Sequence, residues 1–106
     1  MQLPAKRKEP YPLEVEEIHQ LRELISTDWS IESNKKLKCR FKFPNFKEAL
    51  AFVIKVGQIA EELHHHPEIT LSWGNVEIES TTHSIGALSK KDFDLAERID
   101  AIRESV

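Results

Sequence analysis

Apolar and polar residues recur along the chain with two periods, and the changes between these periods predict the order of the secondary-structure elements. From Leu13 the apolar residues are three or four positions apart, which predicts a first helix with glutamates in its opening turn. Residues 29–32 are expected to form a short strand, and residues 36–43, where apolar and basic residues alternate, a second strand. Asn34 lies between these runs, so a hairpin is predicted.

A long second helix has the strongest pattern in the chain. Asn45 can cap it, and its apolar residues describe one broad face from Phe46 to Leu63. Pro67 lacks a backbone N–H and disfavours helical geometry in the residue before it, so the helix is expected to stop there. Residues 64–66, all histidine, are therefore expected at the C-terminal end of this helix.

Two further strands and a third helix complete the pattern. Residues 69–73 and 76–82 alternate between apolar and polar on either side of a turn that begins at Gly74. Ser89, with Asp92 three residues later, resembles a capping box and begins the last helix. Asp92 is accordingly interpreted as a helix-cap residue rather than a proton donor.

The predicted order is α-β-β-α-β-β-α, which favours an α+β fold with a four-stranded antiparallel sheet and three helices packed on one face. The strand at residues 76–82 is interpreted as an edge strand available for pairing. Residues 1–12 hold three of the five prolines and a Lys-Arg-Lys run, and we expect them to be a flexible tail. Residues 13–106 are expected to form a single domain.

Composition excludes several classes of function. With 106 residues, of which 40% are hydrophobic, the chain can form one core, and no apolar run approaches the length of a membrane span. The formal net charge of -3 provides no basic face for direct nucleic-acid binding. The single cysteine, Cys39, is interpreted as a core residue of the second strand. The N-terminus lacks the apolar segment of a secretory signal, so a cytoplasmic protein is expected.

The candidate chemistry lies in a cluster of histidines. Four of the five histidines fall within residues 64–83, and imidazole can donate or accept a proton near neutral pH. Glu61 precedes His65 by four residues, so on a helix its carboxylate could orient that imidazole. If the fourth strand returns beside the end of the second helix, a polar pocket suited to acid and base catalysis results. Its members would be His65, His66, His83, Thr81 and Thr82.

Other interpretations of these residues remain open. Each imidazole could be solvated or could satisfy a terminal carbonyl of the helix. Three imidazoles and a carboxylate could bind zinc for metal-dependent hydrolysis, but adjacent residues on a helix point about 100° apart and no HExxH pattern is present. Trp29 and Trp73 could stack on a flat ligand, although packing against the helices is favoured.

The spacing of these residues is that of a known family. The sequence Glu61-x-x-x-His65-His66-Pro67 is followed by Trp73, His83 and Asp92. This motif resembles that of the pterin-4a-carbinolamine dehydratases, which are also described as dimerisation cofactors of a homeodomain transcription factor. The resemblance runs from about Leu13 to the C-terminus.

The resemblance implies an activity and roles for the site residues. Members of the family dehydrate 4a-hydroxytetrahydropterin, the 4a-carbinolamine, to quinonoid dihydropterin without a metal or other cofactor, and so recycle the pterin cofactor of aromatic amino-acid hydroxylases. By this resemblance, His65 and His83 would protonate the leaving hydroxyl, His66 would be the base or an anchor, and Glu61 would tune His65. Substrate binding is implied for Glu61, His64, Thr81, Thr82 and Ser84, and supporting roles for Trp29, Trp73 and Asp92.

Further expectations accompany the resemblance. Position 64, often a short acidic or amide residue in the family, is His64 here, so the activity or its pH optimum is expected to differ. A homodimer or homotetramer is expected, with a small pterin as substrate, no direct nucleic-acid contact and no membrane association. The alternatives are a non-catalytic binding or assembly module, and action on another pterin, as in a pathway linked to molybdopterin.

Overall fold

Three helices and four strands follow one another in the predicted order within residues 7–104, the part of the chain that the computed structural model describes. The helices are α1 Val15–Arg22, α2 Phe46–Leu63 and α3 Lys90–Glu104. The strands are β1 Ser30–Glu32, β2 Lys36–Lys42, β3 Glu68–Ser72 and β4 Asn75–Ser80, and a short 3₁₀ helix, His83–Ile85, lies between β4 and α3. The predicted α+β fold is confirmed.

The four strands form one antiparallel sheet in the order β1-β2-β4-β3. Ile78 of β4 is paired with Cys39 of β2 on one side and with Ile69 of β3 on the other. The prediction that this strand is an edge is therefore wrong, because both of its sides already take part in the sheet. Alternation along a strand indicates which face is buried, and it does not identify the neighbouring strands.

The core lies between one face of the sheet and the helices. The inward apolar residues of β2 and β4 are at most 5% exposed, and they are Leu37, Cys39, Phe41, Val76 and Ile78. Helices α2 and α3 cover them with Ala49, Phe52, Val56, Ile59, Phe93, Leu95 and Ile99. On the outer face the charged residues pair across strands, as Lys38 does with Glu77 and Glu79 at 3.6 and 3.5 Å. The alternation of apolar and polar residues along the strands predicted this arrangement, in which one face of the sheet is buried and the other is exposed.

Local signals in the sequence account for the hairpin and for the start of α2. Ser33 and Asn34 both have positive φ, 51° and 55°, in the tight turn between β1 and β2. Asn45 caps α2 by accepting a hydrogen bond from the Glu48 amide at 2.9 Å. These short-range contacts explain why the hairpin and the helix start were predictable.

Trp29 lies just before β1, and its side chain belongs to the core. The indole is 1% exposed and packs edge to face against Phe41, with ring centroids 6.0 Å apart. Its Nε1–H donates to the Asp100 carboxylate of α3 at 2.8 Å, and the same carboxylate accepts from the Ser26 amide at 2.8 Å. The strand expected from residue 29 begins one residue later, at Ser30.

The N-terminal segment contacts the domain where it is described. Arg7 pairs with Glu17 at 2.8 Å, and the Leu13 amide donates to the Leu88 carbonyl at 2.9 Å. Residues 1–6 of the predicted tail, 1–12, lie outside the described residues. Among the helices of residues 7–104, none has the length and apolar character needed to cross a membrane.

Candidate active site

A cleft of about 400 Å³ opens where the ends of α2 and β4 meet the start of α3. It is lined by Pro10, His64, His65, His66, Thr81, Thr82, His83, Ser84 and Lys91. The fold thus brings together four histidines and the three hydroxyl residues that the sequence indicated.

A left-handed residue after α2 places the adjacent histidines in different surroundings. The helix ends at Leu63, earlier than the proline predicts, and His64 takes φ 52° and ψ 41°. The His65 amide then donates to the Ala60 carbonyl at 3.0 Å, which satisfies one of the terminal carbonyls of the helix. His65 is 8% exposed, whereas His64 and His66 are exposed.

Asp92 organises the floor of the cleft. Its side chain is fully buried, and Oδ1 accepts hydrogen bonds from His65 Nε2 at 2.6 Å and from Ser80 Oγ at 2.5 Å. Oδ2 accepts from Thr82 Oγ1 at 2.7 Å and from the Ser89 amide at 2.9 Å. The predicted cap contact between Ser89 and Asp92 is confirmed, and the same carboxylate also holds an imidazole that the sequence did not assign to it.

The charge of Asp92 follows from two opposing effects. Burial would raise the pKa of its carboxyl group, because a buried site disfavours the anion. Hydrogen bonds, first among them that from His65, outweigh burial and hold the pKa of Asp92 below its usual value. The carboxylate is therefore an anion at neutral pH and accepts the Nε2–H of His65. This leaves Nδ1 as the nitrogen of His65 that can exchange a proton with a ligand.

Glu61 pairs with His66, and the expected pairing with His65 is wrong. Its carboxylate contacts Nε2 of His66 at the exposed rim of the cleft. The expectation assumed helical spacing as far as residue 65, which the left-handed conformation of His64 interrupts. The hydrogen bond from His66 and the charge of its imidazole lower the pKa of Glu61, so an ionised carboxylate orients His66.

Another part of the cleft lining comes from the chain that follows β4. The strand ends at Ser80, two residues earlier than the alternation predicted. His83 and Ser84 begin the 3₁₀ helix and are exposed. Thr81 is half-buried, and its hydroxyl donates to the Lys35 carbonyl in the β1–β2 turn at 2.5 Å. A wall made of a short helical turn presents neighbouring side chains in different directions.

Sequence reasoning did not assign four residues to this site. Ser80 and the Ser89 amide donate to Asp92, and Pro10 and Lys91 line the cleft. A signal existed for Ser80, because it occupies an inward position of β4 where the other residues are apolar and a buried hydroxyl requires a partner. Pro10 carries no such signal, since its position depends on how the N-terminal segment packs.

Four residues with expected supporting or binding roles are not among those that line the cleft, and one of them, Asp92, lies beneath His65. Glu61 acts through His66, and Trp29 lies in the core. Trp73 is 69% exposed in the β3–β4 turn, at the end of β4 opposite to Thr81. Within residues 7–104, no three His, Cys, Asp or Glu side chains are grouped so that they could hold a metal ion.

The chain matches known proteins over most of its length. The family model described as pterin 4 alpha carbinolamine dehydratase matches residues 11–102. A relative from Rubrobacter xylanophilus is 40% identical over 100 residues, which cover 94% of this chain and 92% of the relative. A relative from Alkaliphilus metalliredigens is 42% identical over 89 residues, which cover 84% of this chain and 80% of the relative. Both are provisionally named pterin-4-alpha-carbinolamine dehydratases.

Two solved structures are similar to the fold. A transcriptional coactivator/pterin dehydratase from Brucella melitensis has a TM-score of 0.79 and 26% identity, and the match covers 87% of this chain and 98% of that one. A pterin dehydratase-like protein, identified as a RuBisCO assembly factor in the alpha-carboxysome, has a TM-score of 0.61 and 25% identity, with 71% and 88% covered. The family match and the curated relatives together show that the chain belongs to the pterin-4a-carbinolamine dehydratase family.

Proposed function

We propose that the chain is a hydro-lyase that dehydrates 4a-hydroxytetrahydrobiopterin to quinonoid dihydropterin by histidine acid and base catalysis. The observation that carries this proposal is the buried Asp92–His65 pair at the floor of a cleft that three further histidines line. The volume of about 400 Å³ lies within the usual range for small-molecule sites.

The reaction requires two proton transfers on adjoining parts of the substrate. Hydroxide is a poor leaving group, so the C4a oxygen must gain a proton as the C4a–O bond breaks and water departs. The neighbouring ring nitrogen forms the new C=N bond and loses its proton to a base. One proton is delivered and one is removed, so the step needs an acid and a base and no oxidant or reductant.

The geometry supports separate roles for the imidazoles. With Nε2–H held by Asp92, a protonated His65 can donate from Nδ1 to the leaving hydroxyl. His83, which lines the cleft from the 3₁₀ helix, is the second proposed acid, and His66, oriented by Glu61, is the base or anchor. The proposed contacts to the pterin edge come from His64, Thr81 and Ser84. The Thr82 hydroxyl donates to Asp92, so Thr82 is proposed to act through that carboxylate.

The direct test is the rate of dehydration of freshly generated 4a-hydroxytetrahydropterin, followed by the absorbance of the quinonoid product. The reaction is expected to accelerate in proportion to protein concentration, above the uncatalysed rate in the same buffer. A rate that does not change when protein is added would contradict the proposal.

The cellular setting belongs to the same proposal. As the family resemblance implies, a cytoplasmic homodimer or homotetramer would recycle the pterin cofactor of aromatic amino-acid hydroxylases, with residues 13–106 as its single domain.

A non-catalytic binding or assembly function is a second candidate, and one surface favours it. Phe46, Leu50 and Ile54 follow one another at four-residue spacing along α2 and are 44%, 40% and 54% exposed. An exposed apolar stripe on a helix is typical of a protein–protein contact. One structural neighbour is described as an assembly factor.

A double variant, Leu50→Asp with Ile54→Asp, tests this second candidate. Two charges on the stripe are expected to abolish association with a helical partner or a second copy, measured by light scattering after gel filtration. The variant His83→Ala should leave the association unchanged, because His83 lies in the cleft and not on this face of α2. Association that survives both aspartates would contradict a role for the stripe.

A further inference from the structure

One lysine in the cleft carries a charge that no carboxylate balances within residues 7–104. Lys91 is half-buried at the second position of α3 and lines the cleft together with His64 and His83. Among the described residues that line this cleft there is no aspartate or glutamate. The nearby carboxylates of Asp92 and Glu61 are already paired with imidazoles, so the Lys91 ammonium is a cationic group to which an anion is attracted.

Three basic groups near Lys91 already have acidic partners. The Lys90 ammonium lies 3.0 Å from the Asp94 carboxylate. His65 is paired with Asp92, and His66 with Glu61. Lys91 therefore differs from its neighbours, since its ammonium is available to a ligand at no loss of an internal ion pair.

Lys91 also borders a second cavity. This cavity, of about 180 Å³, is lined in part by Glu9, Pro10, Tyr11, Leu63 and Asp94, and it shares Pro10 and Lys91 with the histidine cleft. A flat ring bound among the histidines could therefore place a substituent beside Lys91, at the boundary between the two cavities. Because Glu9 and Asp94 line the far cavity, an anionic group is favoured on the histidine side of Lys91.

The backbone that carries Lys91 is held in place. Its amide donates to Ser89 Oγ at 3.3 Å, and the next residue, Asp92, is fixed by its four hydrogen bonds. A fixed backbone reduces the conformational entropy that is lost when the side chain engages a ligand.

We propose that Lys91 selects pterins whose side chain carries an anionic group, a phosphate or a carboxylate, over pterins with a neutral side chain. The inference rests on the proposed dehydration of a pterin carbinolamine, and it names as preferred substrates pterins other than tetrahydrobiopterin, whose dihydroxypropyl side chain is neutral. The histidines act on the ring, and the Lys91 ammonium donates hydrogen bonds to the anionic oxygens of the substituent.

The test compares the binding of three stable pterins: neopterin, neopterin monophosphate and pterin carboxylic acid. Dissociation constants are measured by calorimetry at low and high salt. The wild-type protein is expected to bind at least one anionic ligand about tenfold more tightly than neopterin, with a smaller preference at high salt. Lys91→Gln should abolish the preference, whereas the matched control Lys90→Gln, whose ammonium pairs with Asp94, should retain it. Comparing neopterin monophosphate with pterin carboxylic acid identifies whether a phosphate or a carboxylate is preferred.

Equal affinity for all three pterins, or a preference that persists in Lys91→Gln, would overturn the assignment. The dehydration assay with a neutral carbinolamine separates this result from the proposed function. If the protein prefers anionic pterins but lacks dehydratase activity, the proposed role of Lys91 stands and the proposed enzymatic function is wrong. If the protein is an active dehydratase without this preference, the enzymatic function stands and the role of Lys91 is wrong. Failure to bind any pterin contradicts both proposals.

Discussion

Replacing His65 and His83 together by alanine is expected to return the dehydration rate to that of the uncatalysed reaction. The two histidines line the cleft from the α2 side and from the 3₁₀ helix. A positioned acid or base typically contributes about 10²–10⁴-fold in rate, so each single variant is expected to lose about a hundredfold or more. The loss in the double variant should be less than the product of the two, because groups that act in one step are not additive. The assay uses freshly generated 4a-hydroxytetrahydropterin.

Two controls separate chemistry from folding in this experiment. His19→Ala removes an exposed imidazole of α1 that does not line the cleft, and it should keep the wild-type rate. His65→Gln offers Asp92 an amide donor in place of Nε2–H but has no titratable nitrogen, so it should fold and still lose about a hundredfold in rate. Full activity in the double alanine variant would refute the mechanism.

Replacing Asp92 by asparagine is expected to lower the free energy of unfolding by about 3 kcal/mol, since it removes the charge from a buried pair and directs an amide donor at other donors. The wild-type carboxylate is fully buried and accepts from His65, Ser80, Thr82 and the Ser89 amide. Dehydration should also slow, because His65 loses the anion that orients it. Urea denaturation and the rate assay measure the two effects.

The stability difference between wild type and Asp92→Asn should depend on pH. Hydrogen bonds hold the folded-state pKa of Asp92 below its usual value, so the anion stabilises the fold above the unfolded-state pKa of about 3.9. That contribution is lost as the pH falls through the folded-state pKa. The difference should therefore be largest near neutral pH and should narrow below about pH 4.

Asp94→Asn is the matched control for the Asp92 variant. Asp94 lies two positions further along α3, and its carboxylate pairs with Lys90 at the surface. A surface pair of this kind typically contributes about 1 kcal/mol or less, so only a small change in stability is expected. If the two variants were equally stable at neutral pH, the central role of Asp92 in the cleft would be wrong.

The elements were predictable because each depends on residues close together in sequence. Asn45 caps its own helix, and the hairpin turn uses Ser33 and Asn34. The position of β4 inside the sheet was not predictable from alternation, because the choice of neighbours depends on packing over the whole domain. Trp29 fell outside its predicted strand for the same reason, since its partner Asp100 lies far along the chain.

The site was predictable as a set of residues and less so as a set of contacts. The motif and the alternation brought His65, His66 and His83 to one region, and the cleft contains all three. Glu61 was wrongly predicted to pair with His65, because helical spacing was assumed to continue past Leu63, where α2 ends. The link from His65 to Asp92 joins α2 to α3, and nothing local in the sequence indicates it.

The φ of 52° at His64 has a consequence for what position 64 can tolerate. Glycine and asparagine enter this region readily, and β-branched residues do so at the greatest steric penalty. A valine or isoleucine there would tend to restore an ordinary helical or extended backbone and so rotate His65 away from its buried carboxylate. Residue 64 thus influences proton transfer through the direction it gives the main chain, whatever charge its own side chain carries.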